Sequence, residues 1–380
     1  MRTGGDTDDG LVIERASGTE LVLEQVTTRE AADRWHSIDH ESFEADYYDL
    51  PARPAQEIYE RIESARTDER AELWLGCVAT QAGGAGTPVV LGDLSLPMLD
   101  NIDNALVNVC TRPAFRHRGY GTAMLKHITA RARVHGRTRL IGEIGESVPL
   151  ERRGEPIRLG EADFASPTPQ PSVLFATKAG ARPVTSEVRR LLRVRDIDDA
   201  HLLRLEEDAI ARSTDYSLIQ WDGPASADLL DDLVVLQSRM TIDAPLEDLD
   251  WEPEQWTPER YREREQRVIA GGQVCLSTAA RHNPSGQIAA LTEIGVEWGQ
   301  PRIAYQWLTI VLPPHRGHRL GLLVKLANLE FVRTGQPLVQ MVNTWNAAIN
   351  DHMAGINEAM GFRPVERWRE WQLELPSPTT

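Results

Sequence analysis

Hydrophobic and polar positions along this chain follow two periods. Short apolar runs predict strands at 20–26, 72–80, 88–96, 104–111 and 138–143. Apolar residues at every third or fourth position predict helices at 29–40, 54–66, 120–134 and 172–179. The same succession then returns. Strands are expected at 216–221, 273–281, 287–296, 303–311 and 337–343, and helices at 226–238, 257–270, 319–333 and 348–360. Between the two sets, 196–213 has helical spacing at Leu202, Leu205 and Ile210, and predicts a connecting helix. Residues 1–15 and the tail 377–380 carry no such pattern and are expected to be mobile.

The return is an internal repeat. RPAFRHRGYGTAML around Arg116 matches LPPHRGHRLGLLVK around Arg316, at an offset of 200. Pro113 meets Pro313, Gly121 meets Gly321, and Asp93 meets Glu293 in the preceding strand. GARPV at 180–184 resembles GFRPV at 361–365, so the offset has fallen to 181 there. The first copy therefore holds an insertion near 148–171, a Pro-, Gly- and charge-rich stretch that reads as a loop. The expected organisation is a tail (1–15), a first domain (16–195), a connecting helix (196–214), a second domain (215–376) and a short tail (377–380).

In copy one, a strand runs into the turn Arg116-His117-Arg118-Gly119-Tyr120-Gly121 and then into a helix beginning near Thr122. Glycines allow close backbone approach. Successive N–H groups at a helix N-terminus form an anion site that suits a pyrophosphate. Copy two reads Arg316-Gly317-His318-Arg319-Leu320-Gly321-Leu322. The strand, the proline, the Arg-to-Gly spacing and the apolar helix resemble the GNAT superfamily of acyl-CoA-dependent N-acyltransferases, once per copy. A dinucleotide fold would place GxGxxG after its first strand, and the spacing here differs.

The resemblance implies an α/β (α+β) fold of two tandem domains, each a mixed, mostly antiparallel twisted sheet flanked by helices. It implies acetyl-CoA as acyl donor, with Val109, Cys110 and Thr111, or Thr309, Ile310 and Val311, beside the acyl arm. Asn350, eleven residues before Gly361, stands where the family often has a CoA-contacting Asn. Asn346 belongs to the same polar cluster, as a helix cap or a ligand contact. The family's acid, a Tyr, is replaced by Ala176 and Asn357, which leaves Tyr305 and His352 as other candidates. A base must take a proton from the attacking ammonium. Glu293, a carboxylate within the apolar run IAALTEIGV, is the candidate base. Asp248 and Trp251, in an acidic, aromatic stretch (247–259), and Trp307 are candidates for holding a cationic amine.

Composition narrows the partners. The formal charge of -16 disfavours a phosphate-backbone binder. Cys77, Cys110 and Cys275 lack CxxC spacing, so reduced thiols, a cytoplasmic setting and no zinc site are expected. No run of about 18 apolar residues occurs, and no membrane partner is expected. The expectation is an acetyltransferase acting on a primary amine of a small molecule, as a monomer or homodimer, with copy two favoured for the chemistry. The alternatives are an acyl-CoA-binding module without catalysis and an enzyme using another acyl donor.

Overall fold

The computed structural model describes residues 11–16, 19–47, 50–78, 86–147, 170–243 and 245–376. Contacts divide the described residues into two compact units, one holding those of 11–147, 170–184 and 369–376 and the other those of 185–368. The sequence copies, 16–195 and 215–376, are therefore cut differently by packing. Most of the expected insertion (148–169) and the tail at 377–380 lie outside the described residues.

The first unit contains β1 (Leu11–Ala16), β2 (Thr19–Gln25), α1 (Arg29–Asp46), α2 (Ala55–Glu63), β3 (Glu69–Val78), β4 (Thr87–Pro97) and β5 (Asn104–Thr111). It continues with α3 (Tyr120–Val134), β6 (Arg139–Ser147), α4 (Pro171–Ala179) and β7 (Arg182–Pro183). Strand order is β1-β2-β3-β4-β5-β6. Part of the expected mobile tail is in fact structured, since Leu11–Ala16 pairs with Thr19–Glu24 in an antiparallel ladder. The alternation in LVIERA is too short to stand out in sequence, and the neighbouring strand supplies the partner. Thr28 caps α1 by accepting from the Ala31 N–H.

The second unit contains β8 (Glu187–Arg193), α5 (Asp199–Ala211), β9 (Tyr216–Asp222), α6 (Leu230–Asp243), α7 (Pro258–Ala270), β10 (Gln273–His282), β11 (Ile288–Glu297) and β12 (Ile303–Val311). It ends with α8 (Leu320–Gly335), β13 (Met341–Ala347), α9 (Asp351–Ala359) and the start of β14 (Arg363–Glu374). Strand order is β14-β8-β13-β12-β11-β10-β9. Strand β8, written in the first copy's sequence, pairs with β13 and with β14 over 363–368. Residues 369–374 of β14 belong to the first unit, where Trp371 pairs with Pro183 of β7. Thus neither unit is assembled from one copy's sequence alone.

In each unit the sheet is mostly antiparallel, with one parallel pair. β5 and β6 pair from Asn104↔Arg139 to Leu106↔Ile141. β12 and β13 pair from Ile303↔Met341 to Gln306↔Thr344. Past those points the strands part, and each helix that follows the fourth strand starts at the open end. Buried apolar residues hold the helices to the sheets: Met124, Ile128 and Ala132 of α3 pack with Val90 and Leu94, and Leu322, Leu326 and Leu329 of α8 pack with Ile294 and Val296.

Candidate active site

The turn before α3 uses two left-handed residues. His117 has φ 62° and Gly119 φ 84°. The turn before α8 does the same with Gly317 at 85° and Arg319 at 59°. Each turn thus places one glycine and one larger residue at the same two positions, in opposite order. A side chain other than glycine costs about 1 kcal/mol in this region. The conformation aims successive N–H groups into one concavity at a helix N-terminus, where the dipole favours an anion. Arg319, out of place as a sequence feature, is the N-cap of α8, and its guanidinium turns to Asp208 at 3.3 Å.

The two turns are braced alike. Arg116 makes two hydrogen bonds of 2.8 Å to Asp46, the last residue of α1, and its Nε donates to Thr111 O at 3.1 Å. Arg316 donates to Asp243, the last residue of α6, at 2.7 Å and to Val311 O at 3.3 Å. These arginines hold the turns in shape and spend their charge on a carboxylate, leaving the anion mainly to the backbone. Tyr120, Leu320 and Leu322 are buried and anchor the helices, whereas His117, Arg118, Thr122 and His318 are exposed. Gly121 fits beneath: a Cβ there would lie 3.1 Å from Thr111 Oγ1 and 3.7 Å from Phe175 of α4.

The fourth strands differ. β4 and β5 keep an unbroken register from Val90↔Thr111 to Ser95↔Leu106. β11 and β12 slip by one residue: Glu293 opposes Leu308, and Ile294 opposes Gln306, so Trp307 is an extra residue. A bulge of this kind releases backbone groups from the ladder and re-aims side chains. Here it lies where β12 leaves β13. Gln306 Nε2 donates to Glu293 O at 2.7 Å and lies 2.9 Å from both Leu308 O and Thr292 Oγ1. The side chain therefore occupies the local carbonyls. By this rule an N–H at the bulge is free of the ladder, and a free strand N–H can polarise a carbonyl.

Strands β4 and β11 each carry a clamped carboxylate. Glu293 is 2 % exposed. It receives Arg264 Nη2 at 2.5 Å, Arg264 Nη1 at 3.3 Å and the Tyr261 hydroxyl at 3.1 Å. Burial would lower the Arg264 pKa, but Glu293 outweighs it and the net shift is upward. Burial, reinforced by Glu293, pushes the Tyr261 hydroxyl up as well. In the first unit Asp93 receives Arg61 at 2.5 and 2.8 Å and Arg53 at 3.3 Å. Burial would raise Asp93, yet Arg61 and then Arg53 hold it below the usual carboxylate range. The same Arg-to-carboxylate clamp, from α2 to β4 and from α7 to β11, therefore occurs twice.

No family model matches the sequence, and no curated protein matches it. Among solved structures, a tandem GNAT protein from the clavulanic acid biosynthesis pathway, solved without AcCoA, superposes with a TM-score of 0.74 at 24 % identity, over 94 % of this chain and 100 % of that one. The chain has the tandem GNAT fold. A GCN5-related N-acetyltransferase from Sphaerobacter thermophilus superposes with a TM-score of 0.58 at 13 % identity, over 95 % of this chain and 98 % of that one.

Within this GNAT fold the expected residues fall on two faces of the second unit's sheet. Glu293 and Tyr305 share the face covered by α7, and Trp307 joins them because of the bulge, with Arg264 5.7 Å above its ring. Thr309 and Val311 lie on the α8 face, whereas Ile310 is buried with Leu308 against α6 and α7. Asn357 of α9 is buried, and its Nδ2 donates to Asn346 Oδ1 at 2.6 Å while its own Oδ1 has no partner. Asn350 caps α9 by accepting from Met353 N at 3.1 Å. This hydrogen bond gives Asn350 a structural role.

The structure does not bring Glu293, Tyr305 and Asn357 together as one catalytic set. The clamp also leaves Glu293 with both oxygens engaged, which removes the free carboxylate that the base assignment required. Asp248 is exposed and Trp251 half-buried in the loop before α7. In that loop Trp256 donates to Glu254 at 3.1 Å and stacks under Arg260 at 4.6 Å, so much of its aromatic and acidic chemistry is used internally. In the first unit, burial pushes the Cys110 thiol up to about 12, which suits a packing residue and not a nucleophile. Val109 and Thr111 line the parting of β5 from β6.

Sequence reading missed the braces Asp46 and Asp243 and the clamps Arg61 and Arg264. Arg61 and Arg264 occupy corresponding helices, so the repeat carried a signal for them. It also missed Lys325, a fully buried amine on α8. Its Nζ donates to Gln306 Oε1 at 2.9 Å, and the line continues from Gln306 through Thr292 Oγ1 to Thr309 Oγ1, the last step being 2.8 Å. Burial pushes the Lys325 amine down to about 7. Among the described residues no group of His, Cys, Asp and Glu could hold a metal ion, and no helix is long and apolar enough to cross a membrane.

Proposed function

We propose that this chain is an acetyl-CoA-dependent N-acetyltransferase of a small primary amine, and that its second unit carries the chemistry. The bulge at Trp307 carries this reading, because it puts released strand N–H groups beside the parting of β12 and β13. The acyl donor supplies a thioester, and the turn 316–321 fits its phosphates through backbone N–H groups. Val311 and Thr309 would border its arm, and the free Oδ1 of buried Asn357 is a polar atom for its polar groups. Oxyanion stabilisation by preorganised N–H groups is worth roughly 3–4 kcal/mol per donor in acyl transfer. The amine would approach from the α7 face, past Tyr305 and Trp307, and release its proton to water, because Glu293 is held by Arg264.

The clamp on Glu293 favours a second reading, an acyl-CoA-binding module without catalysis. Calorimetric titration with acetyl-CoA, followed by thiol release with a panel of primary amines, separates the two. Binding with amine-dependent CoA release supports the enzyme. Tight binding with no release from any amine supports the module. No binding at millimolar ligand removes both.

A further inference from the structure

The face of the second unit opposite α8 carries half-buried aromatic rings where β12 and β13 part. Tyr305 and Trp345 lie with ring centroids 6.3 Å apart and planes at 20°. Trp368 closes the row, edge-on to Trp345 at 6.1 Å. Trp307 lies flat on the neighbouring strand because residue 295 is glycine: a Cβ there would fall 2.0 Å from the indole. In the first unit Leu106, opposite Ser95, stands where Tyr305 stands opposite Gly295.

The charges beside these rings are paired. Arg264 is committed to Glu293, and Arg189 donates to Glu366 at 2.7 Å. One donor is left. Asn343, across from Tyr305 in the ladder, is 0 % exposed. Its Oδ1 accepts from Arg189 Nη1 at 2.6 Å, which fixes the orientation of the amide, and its Nδ2 has no acceptor. A buried amide N–H without an acceptor is costly and calls for a partner.

We infer that the acceptor of the second unit is an amine bearing a flat aromatic ring, held by Tyr305, Trp307 and Trp345, with Asn343 Nδ2 donating to a ring oxygen. This inference rests on the acetyltransferase reading and names its substrate class. A polyhydroxylated amine such as an amino sugar fits poorly, because its hydroxyls would leave water for a wall made mostly of aromatic rings. Aromatic pairs gain stacking and edge-to-face attraction beyond burial of area, and a saturated ring forgoes that gain.

The test uses the full chain with acetyl-CoA and three probes: tyramine, 2-cyclohexylethylamine and glucosamine. Amine binding is read by calorimetry, and turnover separately by thiol release. Tyramine is expected to bind at least tenfold tighter than either of the others. Trp345→Ala should erase that preference, Trp345→Phe should restore most of it, and both variants should keep wild-type acetyl-CoA affinity as the control for folding. Asn343→Leu should weaken tyramine more than phenylethylamine, which lacks the hydroxyl. Equal binding of tyramine and the cyclohexyl probe, or no binding of any probe, overturns the inference. Ring-selective binding without thiol release would leave the acceptor site standing and remove the acetyltransferase reading. Turnover that is indifferent to the ring would do the reverse.

Discussion

The two units share one turn, one brace and one clamp, but they differ beneath the helix that follows the turn. In the first unit that face is apolar: Gly92, Val107, Val109 and Leu125 stand where the second has Thr292, Gln306, Thr309 and Lys325. The first unit's strands keep register there, and the second unit's slip. Polar residues in a core are costly unless their hydrogen bonds are satisfied. The line from Lys325 to Thr309 satisfies them, and Gln306 occupies the carbonyls around the bulge. Conserving the turn thus preserves an anion site, while the residues under it decide whether the adjoining strand is plain or bulged.

Transplanting the apolar face is expected to have the largest effect. Free Lys325 amine should hold its proton up to about 10.5 when unfolded, whereas the folded amine releases it near 7. Between those values the unfolded chain binds more protons, so stability rises with pH. At and below pH 7 the burial penalty is fully present. At about 1.4 kcal/mol per pH unit, the span corresponds to roughly 5 kcal/mol. Lys325→Leu combined with Gln306→Leu should therefore be more stable than wild type at pH 6 and show no rise towards pH 9. Urea midpoints at the two pH values check this, and a wild-type midpoint that does not move between them would sink it.

Breaking the shared clamp comes next. Glu293→Gln removes the carboxylate that Arg264 is paired with, at a cost of about 3–5 kcal/mol, and Asp93→Asn should cost less, because Arg53 keeps Asp39 and Arg61 keeps Glu69. A loss of stability in both variants, larger for Glu293→Gln, would establish the clamp as structural in both units. A Glu293→Gln variant that melts normally but loses turnover, with an altered pH profile, would return Glu293 to the role of base.

The turns themselves separate the units in function. Gly121→Trp should remove acetyl-CoA binding at the first unit and Gly321→Trp at the second, each lowering the calorimetric stoichiometry. On the present reading only Gly321→Trp abolishes turnover, and loss of turnover in Gly121→Trp alone would reverse the assignment. The smallest effect is expected from the left-handed positions. Arg319→Gly and His117→Gly should each add about 1 kcal/mol by relieving the backbone, and Gly317→Ala and Gly119→Ala should subtract a similar amount. A fall in melting temperature for Arg319→Gly would show that its contact with Asp208 matters more than the backbone does.

The repeat, the alternation of elements and the anion-binding turns were legible in the sequence by itself, because each depends on local spacing. Glycines, a proline and an apolar helix are enough to aim consecutive N–H groups. That Gly317 and Arg319 are the two left-handed residues of the second turn is visible in the backbone and not in the letters. Tertiary structure decided the rest. That Glu293 meets Arg264, that Asp93 meets Arg61 and that Arg116 meets Asp46 depends on which helix end lies over which strand, across 29, 32 and 70 residues of chain. The transfer of β8 to the second unit and the bulge at Trp307 are choices of strand partner and register, which hydrophobic alternation leaves open. Burial of Lys325 follows from the same cause: a lysine on a helix declares its charge in the sequence, but only packing determines whether water can reach it.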